Sequence, residues 1–537
     1  MRKEARIVFY FLVLFYLIVP IWVPRVLWSL ILVLPILAVG LRDYFQKKHS
    51  IRRNFPVVGH FRYMLEMIRP EINQYFIESN SDGKPFSREQ RSVVYQRAKK
   101  ERDTVPFGTQ KDVYEVGYEW VNHSIAPVHV NHDMRVRIGG PLCKQPYEAA
   151  LFNISSMSYG ALSSNAVEAL NLGAKKGEFY HATGEGSCSP YHLKQGGDLV
   201  WQVGTGYFGC RELDGKFSPQ KFAEVAVHPN IKMIEIKLSQ GAKPGHGGIL
   251  PASKVSLEIA KIRGVEMGKD VISPPWHTAF STPLEMMAFI KQLRDLSGGK
   301  PVGFKLCVGK RREFIALCLA MKETGIMPDF ITVDGGEGGT GAAPIEFSNS
   351  VGCPLTEGLI FVHNALMGFD LRKHIRVVAS GKITTGFDIV AKLSMGADIC
   401  NSARGMLMAI GCIQALRCNS NTCPVGITTN DPELVSGLDI VSKSERVKNY
   451  QFETVKAATE IMGAMGVKHS SELRPFHLMR RVDSQSVKHY GEIFEYLNTG
   501  DLLKPNLPKS YERAFRSATS KSFMAIEDLK VKELNAI

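Results

Sequence analysis

Three cysteines mark the most chemically loaded stretch of this chain. Cys412, Cys418 and Cys423 stand in GCIQALRCNSNTCP (411–424), spaced C-x5-C-x4-C and closed by Pro424. Thiolates this close together, on a segment too irregular for a packed helix, suit a polynuclear iron–sulfur cluster, because each can reach a different iron. By spacing alone the alternative is three buried or free thiols, since cysteine packs as a small apolar side chain.

A second set of residues recurs in glycine-rich segments. Ser156, Met157 and Ser158 precede Tyr159-Gly160, and Thr183 leads into Gly184-Glu185-Gly186. Gln240 and Lys243 lie in SQGAKPGHGG (239–248), Lys305 stands in an apolar run, and Asp334-Gly335-Gly336-Glu337-Gly338-Gly339-Thr340-Gly341 follows another. Small residues let backbone amides approach a planar or phosphorylated ligand closely. Gly381-Lys382 and Arg404 add two cations suited to a phosphate.

What must position these segments is a repeating strand–helix unit. Candidate strands cover residues 151–155, 178–182, 200–203, 233–238, 302–307, 330–333, 376–379 and 399–402. Their intervals leave room for parallel crossovers, each of which needs a dozen or more residues. Eight such units predict an α/β fold closed into a (β/α)8 TIM barrel, with an open doubly wound sheet as the alternative. In a barrel every segment named above falls at the carboxyl rim, and Lys382 and Arg404 fall after strands seven and eight, the usual phosphate site.

The 537 residues exceed one barrel, which takes about 250. Residues 1–41 read as a membrane hairpin, 42–149 as a lead-in packed on the barrel, 150–430 as the barrel with its cysteine loop, and 431–537 as a C-terminal helical extension. The hairpin consists of apolar runs at 7–23 and 26–41, split by Pro24-Arg25 and each near the lower limit of about 17 residues for a span. Arg2, Lys3 and Arg6 precede it, and Arg42, Lys47, Lys48, Arg52 and Arg53 follow it, so both ends are expected in the cytoplasm. This predicts an inner (cytoplasmic) membrane protein whose catalytic part faces the cytoplasm. A buried helical hairpin of the globular part is the alternative. All ten cysteines lie beyond the first quarter of the chain, in segments with the α/β pattern, which points to a reducing compartment. The net charge of +14 is dispersed, with no helix-turn-helix, RNP or zinc-finger pattern, and no nucleic-acid partner is expected.

The motifs SMSYGALS (156–163), QGAKPGHGG (240–248), VDGGEGGTGAAP (333–344) and GCIQALRCNSNTCPVG (411–426) resemble the central FMN-binding domain of glutamate synthase. The resemblance runs from about residue 150 to 430 and continues more faintly over 445–473. It implies FMN held by Ser156, Met157, Ser158, Thr183, Lys305, Asp334, Gly335, Gly381, Lys382 and Arg404, and a [3Fe-4S] cluster on Cys412, Cys418 and Cys423. It implies an oxidoreductase acting on CH-NH2 donors in reverse, reducing 2-iminoglutarate, made from 2-oxoglutarate and ammonia, to L-glutamate. Lys305 and Glu185 would be catalytic, and Gln240, Lys243, Gly338 and Gly339 would bind substrate.

The departures from the family matter as much. The chain begins Met1-Arg2-Lys3 where glutamine-hydrolysing members carry a cysteine nucleophile, no β-helix pattern follows the barrel, and no strand–GxGxxG–helix unit is evident. A separate electron donor, a ferredoxin or reductase subunit, is therefore expected, with ammonia either free or supplied by a separate glutaminase. SPPWHTAFS (273–281) and Gly186-Ser187-Cys188 also differ from the full-length enzymes. Another FMN oxidoreductase on the same barrel, or a membrane-associated electron-transfer protein without glutamate synthase activity, stays open.

Overall fold

The computed structural model describes residues 2–101 and 104–527, and the last ten residues of the expected C-terminal extension lie outside them. The chain forms two compact units, Met1–Arg88 and Glu89–Ile537.

In the first unit the two apolar runs form helices Arg2–Ile18 and Leu30–Phe45, joined by 3-10 turns. Both are long and apolar enough to cross a membrane, over Glu4–Ile21 and Pro24–Phe45, and neither window is buried. Helix Gly59–Ile72 follows. Its His60 Nε2 lies 2.8 and 3.0 Å from the two oxygens of the buried Asp43 carboxylate.

The second unit is built on a closed ring of eight parallel strands. In chain order they are β1 (Phe152–Ile154), β2 (His181–Ala182), β3 (Leu199–Val203), β4 (Ile231–Lys237), β5 (Val302–Leu306), β6 (Phe330–Asp334), β7 (Arg376–Ser380) and β8 (Ile399–Ser402). All eight runs expected from the sequence are therefore strands, and the barrel, not the open sheet, is the fold. β8 closes on β1 with Cys400, Asn401 and Ser402 opposite Phe152, Asn153 and Ile154. Nearly every strand position is buried, as a parallel sheet covered on both faces requires.

Helices start where the sequence supplies caps. Ser163 and Asp439 accept the N-cap hydrogen bond of helices Ser164–Gly177 and Ile440–Ala464, and Thr282 and Thr385 form capping boxes with Glu285 and Asp388. Helix Ile440–Ala464 packs against both Ser164–Gly177 and Gly386–Ser394, the helices of the first and seventh units. The outer ring is thus completed by a helix from beyond residue 430, and the cysteine segment is an excursion between β8 and that helix.

The stretch after residue 431 is also less helical than its sequence suggests. Leu478–Arg481 and Val487–His489 are strands of an antiparallel sheet: Leu478–Arg481 is the middle strand, pairing on one side with Val487–His489 and on the other with Glu119–Val121, a partner more than 350 residues upstream that leaves no local signal. At the amino-terminal end of the barrel, buried Asp329 accepts hydrogen bonds from Arg294 Nη2 (2.9 Å), Val302 N (2.8 Å) and Gly140 N (2.7 Å).

The seam between the first and last helices leaves no spare volume. A Cβ on Gly173 would lie 2.6 Å from Val447 Cβ and 2.9 Å from the Ser444 carbonyl. Gly173→Ala is expected to lower barrel stability by about 1–3 kcal/mol through overpacking, read as a lower denaturation midpoint at unchanged m-value.

Candidate active site

Alternate residues of a strand point to the same face, so a polar residue every second position in a buried strand enters the barrel interior. Gln202 of β3, Glu235 and Lys237 of β4, Lys305 of β5, and Thr332 and Asp334 of β6 follow this rule and are all buried. Midway along the barrel the Glu235 carboxylate accepts from Gln202 Nε2, Ser156 Oγ (3.2 Å) and Thr332 Oγ1 (2.6 Å). Sequence reasoning missed Glu235, Gln202 and Thr332. The signal was their alternation within otherwise apolar strands.

Nearer the carboxyl rim, the Glu185 carboxylate from the β2 loop accepts from Lys237 Nζ, and both are nearly buried. Burial alone would raise the Glu185 pKa. Lys237, then Arg263 and Lys243, outweigh it and hold the group below the usual carboxylate range. Lys243 is itself buried, donates from Nζ to the Ala342 carbonyl (2.5 Å), and is pushed down to about 8, by burial first and the neighbouring Lys237 second. One carboxylate thus sits among three cations on the rim.

His277, from segment 273–281, reaches the same place. Its Nε2–H donates to the Lys237 carbonyl (2.9 Å), and its Nδ1 lies 3.1 Å from the Tyr207 hydroxyl, so it accepts from that group. Burial drives its pKa down to about 4, which keeps the ring neutral near pH 7.

The β4 and β6 loops touch through backbone. Gly241 N donates to Asp334 Oδ2 (2.9 Å), and a Cβ on Gly241 would fall 1.7 Å from the Gly335 carbonyl oxygen, so only glycine fits. Lys305 Nζ lies 3.8 Å from Asp334 Oδ2, an ion pair without a direct hydrogen bond between two buried groups. Gln240 Nε2 donates to Thr340 Oγ1 (3.2 Å), and Gly338 N to the Gly335 carbonyl (2.8 Å). Gly339 packs against the Arg404 side chain, whose Nη2 donates to the Glu337 carbonyl (2.5 Å).

From the other side, Gly186 N donates to Ser158 Oγ (3.1 Å), and Gly184 lies against Ser158 and Met157. Thr183 Oγ1 donates to the Gly184 carbonyl and accepts from Gln202 N. Gly381 (φ 149°) and Lys382 (φ 49°) bend the chain at the end of β7. Every rim residue expected from the sequence therefore stands at the carboxyl ends of the strands. A cavity of about 920 Å³ at the opposite end, lined by Tyr147, Lys175, Asp198, Lys232 and Lys300 among others, contains none of them.

The cysteine excursion is held in unusual backbone. Gln414, Leu416 and Asn421 have φ of 58°, 55° and 61°, and Tyr95 Oη donates to the Cys412 carbonyl (2.7 Å). Burial first, and then nearby Cys418 and Cys423, push the Cys412 thiol up to about 11. Cys423 behaves oppositely. Burial would raise it, yet donors from the Thr428 side chain and the backbone of Thr428, Val425 and Ile427 bring it below the usual thiol range. Among the described residues, no three His, Cys, Asp or Glu side chains form a finished metal site.

Residues 108–468 match the family model described as "conserved region in glutamate synthase". This chain belongs to the glutamate synthase family, and with it to the oxidoreductases. The Bacillus subtilis glutamate synthase large subunit-like protein YerD is 37% identical over 491 residues, covering 84% of this chain and 93% of that protein. The archaeal glutamate synthase (NADPH) of Methanocaldococcus jannaschii is 33% identical over 323 residues, 60% of each chain. The Bacillus subtilis glutamate synthase (NADPH) large chain is 31% identical over 328 residues, 60% of this chain but 20% of that one. The chain thus spans nearly all of the YerD protein, but only 60% and 20% of the two named glutamate synthases.

Glu185→Gln keeps the shape of the side chain and removes the one negative charge among Lys237, Lys243 and Arg263. A loss of about 3–5 kcal/mol is expected, the cost of leaving one side of a buried ion pair unmatched, measured as a shift in urea midpoint. A change below 0.5 kcal/mol would show that solvent already screens these charges.

Proposed function

We propose that the rim reduces 2-iminoglutarate, formed from 2-oxoglutarate and ammonia, to L-glutamate. The observation that carries this reading is the set of cations around Glu185, because a dicarboxylate needs fixed positive charge at both ends. Lys243 and Gln240 hold substrate carboxylates, and Gly338 and Gly339 let backbone come close to the bound acid. Glu185, kept ionised by its neighbours, accepts a proton as ammonia adds.

The rim also fits FMN. A buried ammonium at Lys305 without a direct hydrogen bond to its carboxylate neighbour, loops of glycine and serine where side chains would block a planar ring, and cations after β7 and β8 support this. Ser156, Met157, Ser158, Thr183, Asp334, Gly335 and Gly381 would line the flavin, and Lys382 and Arg404 its phosphate. Cys412, Cys418 and Cys423 would carry a [3Fe-4S] cluster, a reading supported by their spacing and by the donors around Cys423 that favour its thiolate. When bound, FMN supplies hydride and the cluster single electrons. Lys305 would supply the buried positive charge that favours electron uptake by a flavin held there.

The electron donor is a separate ferredoxin or reductase subunit, and ammonia arrives free or from a separate glutaminase. The hairpin spans the cytoplasmic membrane and the barrel faces the cytoplasm. One observation favours a second reading, an FMN oxidoreductase with another substrate: segment 273–281, which departs from the full-length enzymes, places His277 directly on Lys237.

The deciding assay is glutamate formation by the purified chain with a chemically reduced donor, 2-oxoglutarate, and either ammonium or glutamine. Turnover with ammonium alone is expected, while inactivity with both would move the weight to the second reading. Lys382→Ala combined with Arg404→Ala should purify with less flavin, since each charge-assisted contact contributes about 1.5–3 kcal/mol. Full occupancy, measured by absorbance, would remove the phosphate placement. Cys418→Ser should abolish the cluster's paramagnetic signal and Cys400→Ser should keep it, because three irons on three thiolates leave no spare ligand.

A further inference from the structure

Helix Gly59–Ile72 carries Phe61, Met64, Leu65, Ile68 and Ile72 at i, i+3, i+4, i+7 and i+11, which places them on one face. A packed helix buries such a face. Here these side chains are 62, 45, 55, 38 and 36% exposed, and the next turn leaves Phe76 84% exposed. The helix is nonetheless fixed. Val57 N and His60 Nε2 both bond the buried Asp43 carboxylate at the end of helix Leu30–Phe45, and Arg52 stacks over the Tyr63 ring at 4.3 Å.

Its charge is one-sided as well. Residues 42–72 hold seven Lys and Arg against three Asp and Glu, and one of those acids is the buried Asp43. Arg62 and Arg69 share Glu66, at 3.9 and 3.8 Å, and their side chains stay 63 and 78% exposed.

We propose that helix Gly59–Ile72 lies in the headgroup region of an anionic bilayer, with its Phe61-Met64-Leu65-Ile68-Ile72 face in the acyl boundary and Arg62 and Arg69 at lipid phosphates. This rests on the reading of residues 1–41 as a membrane hairpin and extends the same lipid-facing surface past the second span. Continuity selects the bilayer as occupant, since the exposed face begins fewer than twenty residues after a helix whose apolar window is wholly unburied. Charge selects anionic lipid, because basic side chains beside an apolar helical face match a negative leaflet surface.

The test uses the full chain in nanodiscs of phosphatidylcholine, with or without phosphatidylglycerol, carrying p-benzoylphenylalanine in place of Met64 or, as a control on the opposite face, of Glu66. Position 64 is expected to give lipid adducts, several-fold more with phosphatidylglycerol, and Arg62→Gln with Arg69→Gln should erase that gain. Position 66 should give few. Adducts from position 64 to residues 89–537 or to a second copy, equal lipid labelling at both positions, or no dependence on anionic lipid would each overturn the proposal. Release of the protein from native membranes by alkaline carbonate would instead overturn the hairpin reading beneath it.

Discussion

Closure of the strand ring is the constraint on which everything else in the catalytic unit depends. Where β8 meets β1, three residue pairs and the bond from Ser155 N to the Ser402 carbonyl (3.0 Å) join segments about 250 residues apart. Only after that pairing do the β1, β2, β4, β6, β7 and β8 loops share one rim. The rim's electrostatics follow from the same geometry. Strand positions that alternate inward bring Lys237 and Lys305 up among the glycine loops, where burial would be costly without Glu185 and Asp334 as partners.

Much of this was legible in the sequence, for a definable reason. Buried parallel strands are short apolar runs at regular intervals, so all eight could be located, and ligand loops follow strand ends by the architecture of barrels. The eighth outer helix was harder. Its polar face, N-capped by Asp439, reads as an appendage, and only its packing on Ser164–Gly177 and Gly386–Ser394 makes it part of the ring. Long-range antiparallel pairing, such as Trp120 opposite Met479, has no local signature at all.

Within the site, single-letter motifs found the glycines and the lysines but not their relations. Glu235 lay in the open as a lone acid in an apolar strand, and its role in tying Gln202, Ser156 and Thr332 together needed the barrel to be seen. His277 was noticed only as part of segment 273–281. Its hydrogen bond to the Lys237 carbonyl connects that segment to the main charge cluster, which residue spacing could not do.

The excursion after β4 and the cysteine excursion form one clasp. Lys254, buried on a short turn of the first, donates to the Thr428 carbonyl (2.7 Å) of the second, while Asn430 Nδ2 returns a bond to the Lys254 carbonyl and Asn421 Nδ2 one to Ser253. During synthesis, Lys254 leaves the ribosome 174 residues before Thr428. At about 5–20 residues per second that is a wait of roughly 10–35 s with a lysine whose burial site does not yet exist. The clasp therefore sets late, and a nascent chain keeps that side of its rim open to solvent and to chaperones until the cysteine segment arrives.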